Sequence, residues 1–344
     1  MLSVFDGHND ALTRDDHAQI VEGRSGGHLD LPRMRAGGVR GGIFSVFSKS
    51  PGMPEERKPV PRDDGVKEFP SAPPLDHAPA AADAAAVAGR LLALERAGHV
   101  RLARREADLD AGKEDGGPPL AVLHLEGAEA IDPALEALEF WYEAGLRSLG
   151  PVWSRSNWFG HGVPFISPSS PNVGPGLTDA GRALVRRCAE LGILVDVSHL
   201  NEAGFWDLAG LEPGPIVATH SGAHAVCASS RNLTDAQLDA IGETGGLVGI
   251  VFACAFLRPD FADDADTPLE LIVQHARYVA DRIGVEHVAL GSDYDGATIP
   301  TPLGDVAGTP RLLDALAEDG FGPDELAAIA WNNWRRVLGA WWSG

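Results

Sequence analysis

The chain has 344 residues, 44% hydrophobic and 22% charged, which suits a globular protein with a large core. Its net charge of −21 argues against nucleic acid and anionic membrane surfaces as partners. No run approaches the roughly 18 apolar residues that span a bilayer, and no basic segment followed by an apolar stretch opens the chain, so neither a membrane span nor a secretion signal is expected.

Eight short apolar or β-branched runs are expected to be strands: Leu2–Phe5, Ile43–Phe47, Leu120–Leu125, Ser148–Trp153, Ile193–Val197, Ile216–Ala218, Leu247–Ala253 and Val288–Leu290. Helical periodicity lies between most of them, over Ala80–Ala97, Pro133–Ala144, Thr178–Leu191, Asp235–Thr244 and Pro268–Ile283. Thr178-Asp179 and Thr234-Asp235 are N-cap types, and Gly192 stands where a C-cap glycine belongs. Strands alternating with helices imply parallel βαβ units, and eight of them imply an α/β fold of the (β/α)8 TIM-barrel type, read as one domain over residues 1–344. Residues 49–79 and 155–177 do not fit the repeat. The first reads as a surface excursion. The second, with Trp158, Phe159, His161 and Phe165, reads either as a loop over a site or as self-packing.

In such a barrel the C-terminal strand ends share one pocket. Strand one ends in Asp6-Gly7-His8-Asn9-Asp10, where period two puts His8 and Asp10 on one side. Later strands end near Glu126, His199, His220 and Asp293. A single histidine there is more often structural and a single aspartate more often a helix cap. Six ligand types at the same end of their strands fit metal better. Three imidazoles with carboxylates suit zinc or a similar divalent ion, and six groups suit two ions bridged by a carboxylate, with Glu126 placed to be the bridge. His124 reads as a hydrogen-bonded barrel histidine, Asp295 as a turn residue, and His224 as either pocket or loop. Arg231 could clamp a substrate carboxylate or support a surface or cap position. The three cysteines, Cys188, Cys227 and Cys254, are far apart and form no C-x-x-C, which fits a reducing cytoplasm; Cys227 reads as a small buried residue.

From Asp6-Gly7-His8-Asn9-Asp10 through Gly41-Gly42-Ile43-Phe44-Ser45-Val46, Glu126-Gly127, Asp196-Val197-Ser198-His199, His220-Ser221, Ser230-Arg231-Asn232 and Gly291-Ser292-Asp293-Tyr294-Asp295-Gly296 to Asn332-Asn333-Trp334-Arg335, the chain resembles the membrane (renal) dipeptidase family of zinc metallopeptidases. The resemblance implies a TIM-like barrel with two Zn2+, His8 and Asp10 on one, His199 and His220 on the other, and Glu126 bridging. It implies that Asp293 is an acid/base residue rather than a primary ligand, and that Arg231 holds the substrate's C-terminal carboxylate. It implies a homodimer, and hydrolysis of dipeptides, including those ending in a D-residue, by a metal-bound hydroxide. One departure stands out: Trp153 falls where renal-type members carry a substrate-contacting histidine, so either Trp153 does a modified version of that substrate-binding job or another group, such as His161 or His224, replaces it. An indole donates one hydrogen bond but takes no positive charge. Two other readings remain open: a metal hydrolase for another amide, such as an N-acyl amino acid or a lactam, and a non-catalytic metal-binding barrel.

Overall fold

The computed structural model describes residues 2–53, 58–113 and 116–342. Eight parallel strands form the ring: β1 (Val4–Asn9), β2 (Val39–Val46), β3 (Leu120–Glu126), β4 (Leu146–Gly150), β5 (Leu194–Val195), β6 (Val217–Ser221), β7 (Leu247–Ile250) and β8 (Val288–Leu290). The pairing runs continuously from β1 to β5 and from β6 to β8. Single parallel bridges close the two gaps, Asp196 with Val217 and Asn9 with Tyr294. Each expected apolar run therefore coincides with a ring strand, although its bounds shift. Most ring-strand residues are buried on both faces, as near-continuous apolar strands require.

The five expected helices also form: His77–Arg96, Glu136–Ala144, Asp179–Leu191, Asp235–Glu243 and Glu270–Ile283. Thr178 caps the third, its hydroxyl accepting from the Gly181 N–H at 3.0 Å, and Gly192 ends it at φ 71°. Pro133 and its neighbours stay outside the helix, because Asp132 caps that turn from the N–H groups of Glu136 and Ala137. Helices Leu31–Ala36, Glu106–Lys113, Glu202–Ala209 and Thr309–Glu318 complete most of the outer layer.

The C-terminal helix Asn333–Trp342 plugs the ring. Trp334 is fully buried and its indole N–H donates to the Leu290 carbonyl at 3.0 Å. This explains the glycine between Asp6 and His8. A Cβ on Gly7 would stand 2.3 Å from the Trp334 ring and 2.8 Å from the carbonyls of Leu290 and Thr219.

The two excursions meet. Val60–Pro61, Lys67–Glu68 and Ile166–Ser167 form a small antiparallel sheet, and the Phe69 N–H donates to the Phe165 carbonyl at 3.0 Å. Among the described residues no helix is long and apolar enough to cross a membrane.

Candidate metal centre

β1 delivers His8, buried, and Asp10 follows it directly. β3 ends on Glu126 and β6 carries His220. His199 lies four residues past β5, and Asp293 three past β8 at φ 60°, a left-handed conformation uncommon outside glycine. The Asp293 N–H donates to the His8 carbonyl at 3.0 Å, and the Asp10 N–H to the Tyr294 carbonyl at 2.8 Å. The chain around β8 is thereby pinned to β1. Asp6, the first residue of the opening motif, supports the same junction: it accepts from the Ser292 N–H at 2.8 Å and the Ser292 hydroxyl at 3.0 Å. Burial pushes its carboxyl up to about 6, against those hydrogen bonds.

These side chains converge. Glu126 Oε1 lies 2.9 Å from His199 Nε2 and 3.6 Å from both His8 Nε2 and His220 Nε2. His199 Nε2 and His220 Nε2 are 3.0 Å apart, and His8 Nε2 is 3.6 Å from Asp10 Oδ2. Ligand atoms of His8, Glu126 and His220 all lie within 4.8 Å of one another, as do those of His8, Asp10 and Asp293. His8 thus belongs to both groups, and its ring overlaps that of His220 at 3.9 Å between centroids.

The ring orientations follow from their outer partners. Asp196 accepts from Thr219 Oγ1 at 2.6 Å, the Thr219 N–H at 2.8 Å and Ser198 Oγ at 2.7 Å. Since Thr219 has one proton and gives it to Asp196, it must accept from His220 Nδ1, 2.9 Å away. That fixes the tautomer and leaves the His220 Nε2 lone pair facing the centre. Ser154 Oγ sits 2.8 Å from His199 Nδ1 and turns its Nε2 the same way.

The environment suits a divalent cation. Both ring nitrogens of His8 and Oδ1 of Asp10 are buried without a hydrogen-bond partner, a costly state that a metal ion would relieve. Burial lowers His199 to about 4 and drives His220 well below the ordinary histidine value, so both are neutral ligand-type imidazoles. Burial raises Glu126, but the close His8 and the His199 contact outweigh it and hold the carboxyl well below its usual range. Burial raises Asp293 well above the usual carboxylate range, and the neighbouring carboxylates of Asp10 and Glu126 add to it, against His8 and Arg231. One carboxylate central to three imidazoles, with a second carboxylate beside His8, is a donor set that fits zinc.

Arg231 is buried beside the cluster. Its Nη1 donates to the Ser198 carbonyl, its Nη2 lies 3.1 Å from the His220 carbonyl and 3.5 Å from His199 Nε2, and its Nε–H has no acceptor. Burial pushes the guanidinium down to about 10. Its place at the pocket removes the surface reading.

The Trp153 ring lies past the end of β4 and stacks at a tilt on His199, 5.7 Å between centroids. Of the two histidines that could replace the expected one, His224 has its Nε2 2.9 Å from the Ser169 carbonyl, and His161 lies beside Gly174. His124 behaves as a barrel histidine, 2.8 Å from Ser148 Oγ. Asp295 is more than a turn residue, since it also takes an ion pair from Arg24 at 3.1 Å. The sequence reading missed Thr219 and Ser154 as supports for the imidazoles, and it missed the buried Arg155–Glu129 pair at 2.7 Å. A hydroxyl beside a ligand-type histidine was the available signal for Thr219.

Thr219→Val removes the Asp196–Thr219–His220 relay at nearly constant volume. Zinc affinity is expected to fall about 10- to 100-fold, the usual cost of losing an outer hydrogen bond to a metal-ligating imidazole. Competition with a zinc-binding dye measures it, and unchanged affinity would remove Thr219 from the support of His220.

The membrane dipeptidase model, peptidase family M19, matches residues 1–341. An uncharacterised protein of Klebsiella pneumoniae is 48% identical over 246 residues, 72% of this chain and 90% of its own length. A solved dipeptidase described as an M19 metallopeptidase superposes with TM-score 0.92 at 44% identity, covering 100% of this chain and 99% of its own. A metallopeptidase from Rhodobacter sphaeroides, liganded with a phosphinate mimic of the dipeptide L-Ala-D-Ala, superposes at 0.91 with 43% identity and covers 99% of each chain. With its TIM-barrel fold, its cluster of buried metal-ligand types and a family match along nearly its whole length, the chain belongs to the membrane dipeptidase family M19 and is a metallo-dipeptidase, dependent on a metal cofactor and acting on small peptides.

Proposed function

We propose that this chain hydrolyses dipeptides with a free C-terminal carboxylate, including those with a C-terminal D-residue, at a site for two zinc ions. The observation that carries the reading is the convergence of His8, Asp10, Glu126, His199 and His220 on one buried point, with the partnerless His8 nitrogens among them and Arg231 alongside. His8 and Asp10 would hold one ion, His199 and His220 the other, and Glu126 would bridge. When bound, the ions supply an activated water and polarise the scissile carbonyl.

The chain's own residues do the rest. Arg231 orients the substrate by its carboxylate, whose two oxygens suit the guanidinium fork better than the backbone carbonyls it touches now. Asp293, raised by burial, accepts the water's proton at its carboxylate and returns it to the leaving amine nitrogen. Trp153, packed on His199, shields the imidazole from solvent and lines the pocket in place of the expected histidine. The ligand of the Rhodobacter sphaeroides protein, 43% identical to this chain, supports a C-terminal D-residue. All three cysteines are buried and unpaired, which supports a cytoplasmic location.

Arg231→Ala tests the clamp. The expected loss is about 100-fold or more in kcat/KM for dipeptides with a free carboxylate, chiefly through KM, because a buried charge pair is broken. The same dipeptides as C-terminal amides, poor substrates at the outset, should be little affected. An equal loss on both sets would argue that Arg231 is structural.

A further inference from the structure

Phe165, from the 155–177 excursion, is a half-buried ring that the chemistry above does not use. Its centroid lies 5.5 Å from Trp153, 5.2 Å from Phe256 and 6.1 Å from His199. The Arg231 guanidinium carbon sits 5.4 Å from the Phe256 ring, and Arg231 Nη2 is 3.5 Å from His199 Nε2. Phe165 therefore spans the side of the pocket between the candidate ligand His199 and the ring that Arg231 packs on.

That span has a definite meaning for a dipeptide. The scissile carbonyl, the C-terminal Cα and the terminal carboxylate follow one another along three bonds. With the carbonyl beside His199 and the carboxylate on Arg231, the C-terminal Cα lies between them. Its side chain then leaves the backbone within reach of Phe165. We propose that Phe165, with Phe256 and Trp153, walls the subsite for the side chain of the substrate's C-terminal residue, and that this subsite selects apolar side chains. The inference rests on Arg231 as the carboxylate clamp.

The chemistry of the wall supports the preference. Phe256 belongs to a buried apolar cluster with Val251, Ala253, Ala255 and Phe261, and Phe165 and Phe69, one from each excursion, pack on it. An acidic side chain placed there would exchange water for ring faces. A basic one would likewise give up its hydration to ring faces, while Arg231 is already occupied by the substrate's own carboxylate. An aliphatic or aromatic side chain gains the transfer free energy of its buried area. The backbone tie from Phe69 to Phe165 and the strand pair of Lys67–Glu68 with Ile166–Ser167 hold this wall in place, so two surface excursions together determine the subsite.

The test uses the full chain loaded with zinc and compares Ala-Gly, Ala-Leu and Ala-Asp, the last two in both chiralities at the C-terminal residue. For the accepted chirality, leucine should exceed both glycine and aspartate in kcat/KM by about tenfold or more, the scale of burying one aliphatic side chain. Phe165→Ala should cost the leucine substrate at least about five times more than the glycine substrate, and Phe165→Leu, which keeps an apolar wall and guards against a folding defect, should recover most of the preference. Equal losses on the two substrates, or aspartate preferred over leucine, would overturn the subsite. The clamp is read separately: a Phe165 effect confined to leucine with equal Arg231→Ala losses on free and amidated substrates would unseat Arg231 as the clamp and leave the apolar wall at the C-terminal side chain, because the leucine and glycine substrates differ only there.

Discussion

Asp293→Asn is expected to lower kcat by about 10^2- to 10^4-fold, the usual contribution of a positioned general acid/base, while leaving two zinc ions per chain. The substitution keeps the size and shape of the side chain. It also keeps the backbone hydrogen bond from the Asp293 N–H to the His8 carbonyl, so the left-handed turn that aims the side chain at the cluster persists. What is lost is a carboxylate that can take a proton. Steady-state kinetics on Ala-D-Ala, with metal counted by mass spectrometry, separates the roles. Retained activity would show that Asp293 moves no proton, and loss of one metal would make it a ligand, which its place beside His8 and Asp10 also permits.

Glu126→Gln is expected to do damage of a different kind. Glu126 Oε1 faces three imidazole nitrogens at 2.9 to 3.6 Å, and Ser45 Oγ donates to Oε2 at 3.2 Å. An amide of the same shape brings no negative charge, and its NH2 end cannot bind a cation. Metal affinity should fall by more than the roughly 10- to 100-fold typical of outer-shell changes, and activity at limiting zinc should fall with it. Excess zinc should restore part of the activity, in contrast to Asp293→Asn. Full zinc content at low free metal would contradict a bridging role for Glu126.

The difference between what the sequence made legible and what it hid is physical. Ring strands buried on both faces stand out as apolar runs, so Leu120–Glu126 and Val288–Leu290 were readable almost to the residue. β1 was cut short at Phe5 because its second half, Asp6 to Asn9, carries the polar groups of the site inside a strand. β6 was shortened at Ala218 for the same reason, by Thr219, His220 and Ser221. The opposite error extended β4 to Trp153: Pro151, Val152 and Trp153 are apolar and buried, but they belong to the loop over the pocket. Short helices such as Leu31–Ala36 and Cys254–Leu257 offered too few turns for a periodic signal.

The ligand types could be found because they end strands in the same sense. Apart from Thr219, whose hydroxyl stands next to His220 in the chain, their supports could not. Ser154 meets His199 across 45 positions, and Asp196 reaches Thr219 across 23, contacts that only closure of the ring creates. Phe165 reads from the sequence as either loop packing or pocket lining; its neighbours put it on the apolar cluster around Phe256 and 6.1 Å from the His199 ring, so in the proposed subsite it has both roles.

The most direct test of the two-ion site is a zinc titration of metal-free protein, with hydrolysis of Ala-D-Ala and bound metal measured on the same samples. Activity should rise until about two ions are bound per chain, with little turnover at the first equivalent. Full activity at one ion per chain, or activity independent of metal, would contradict it.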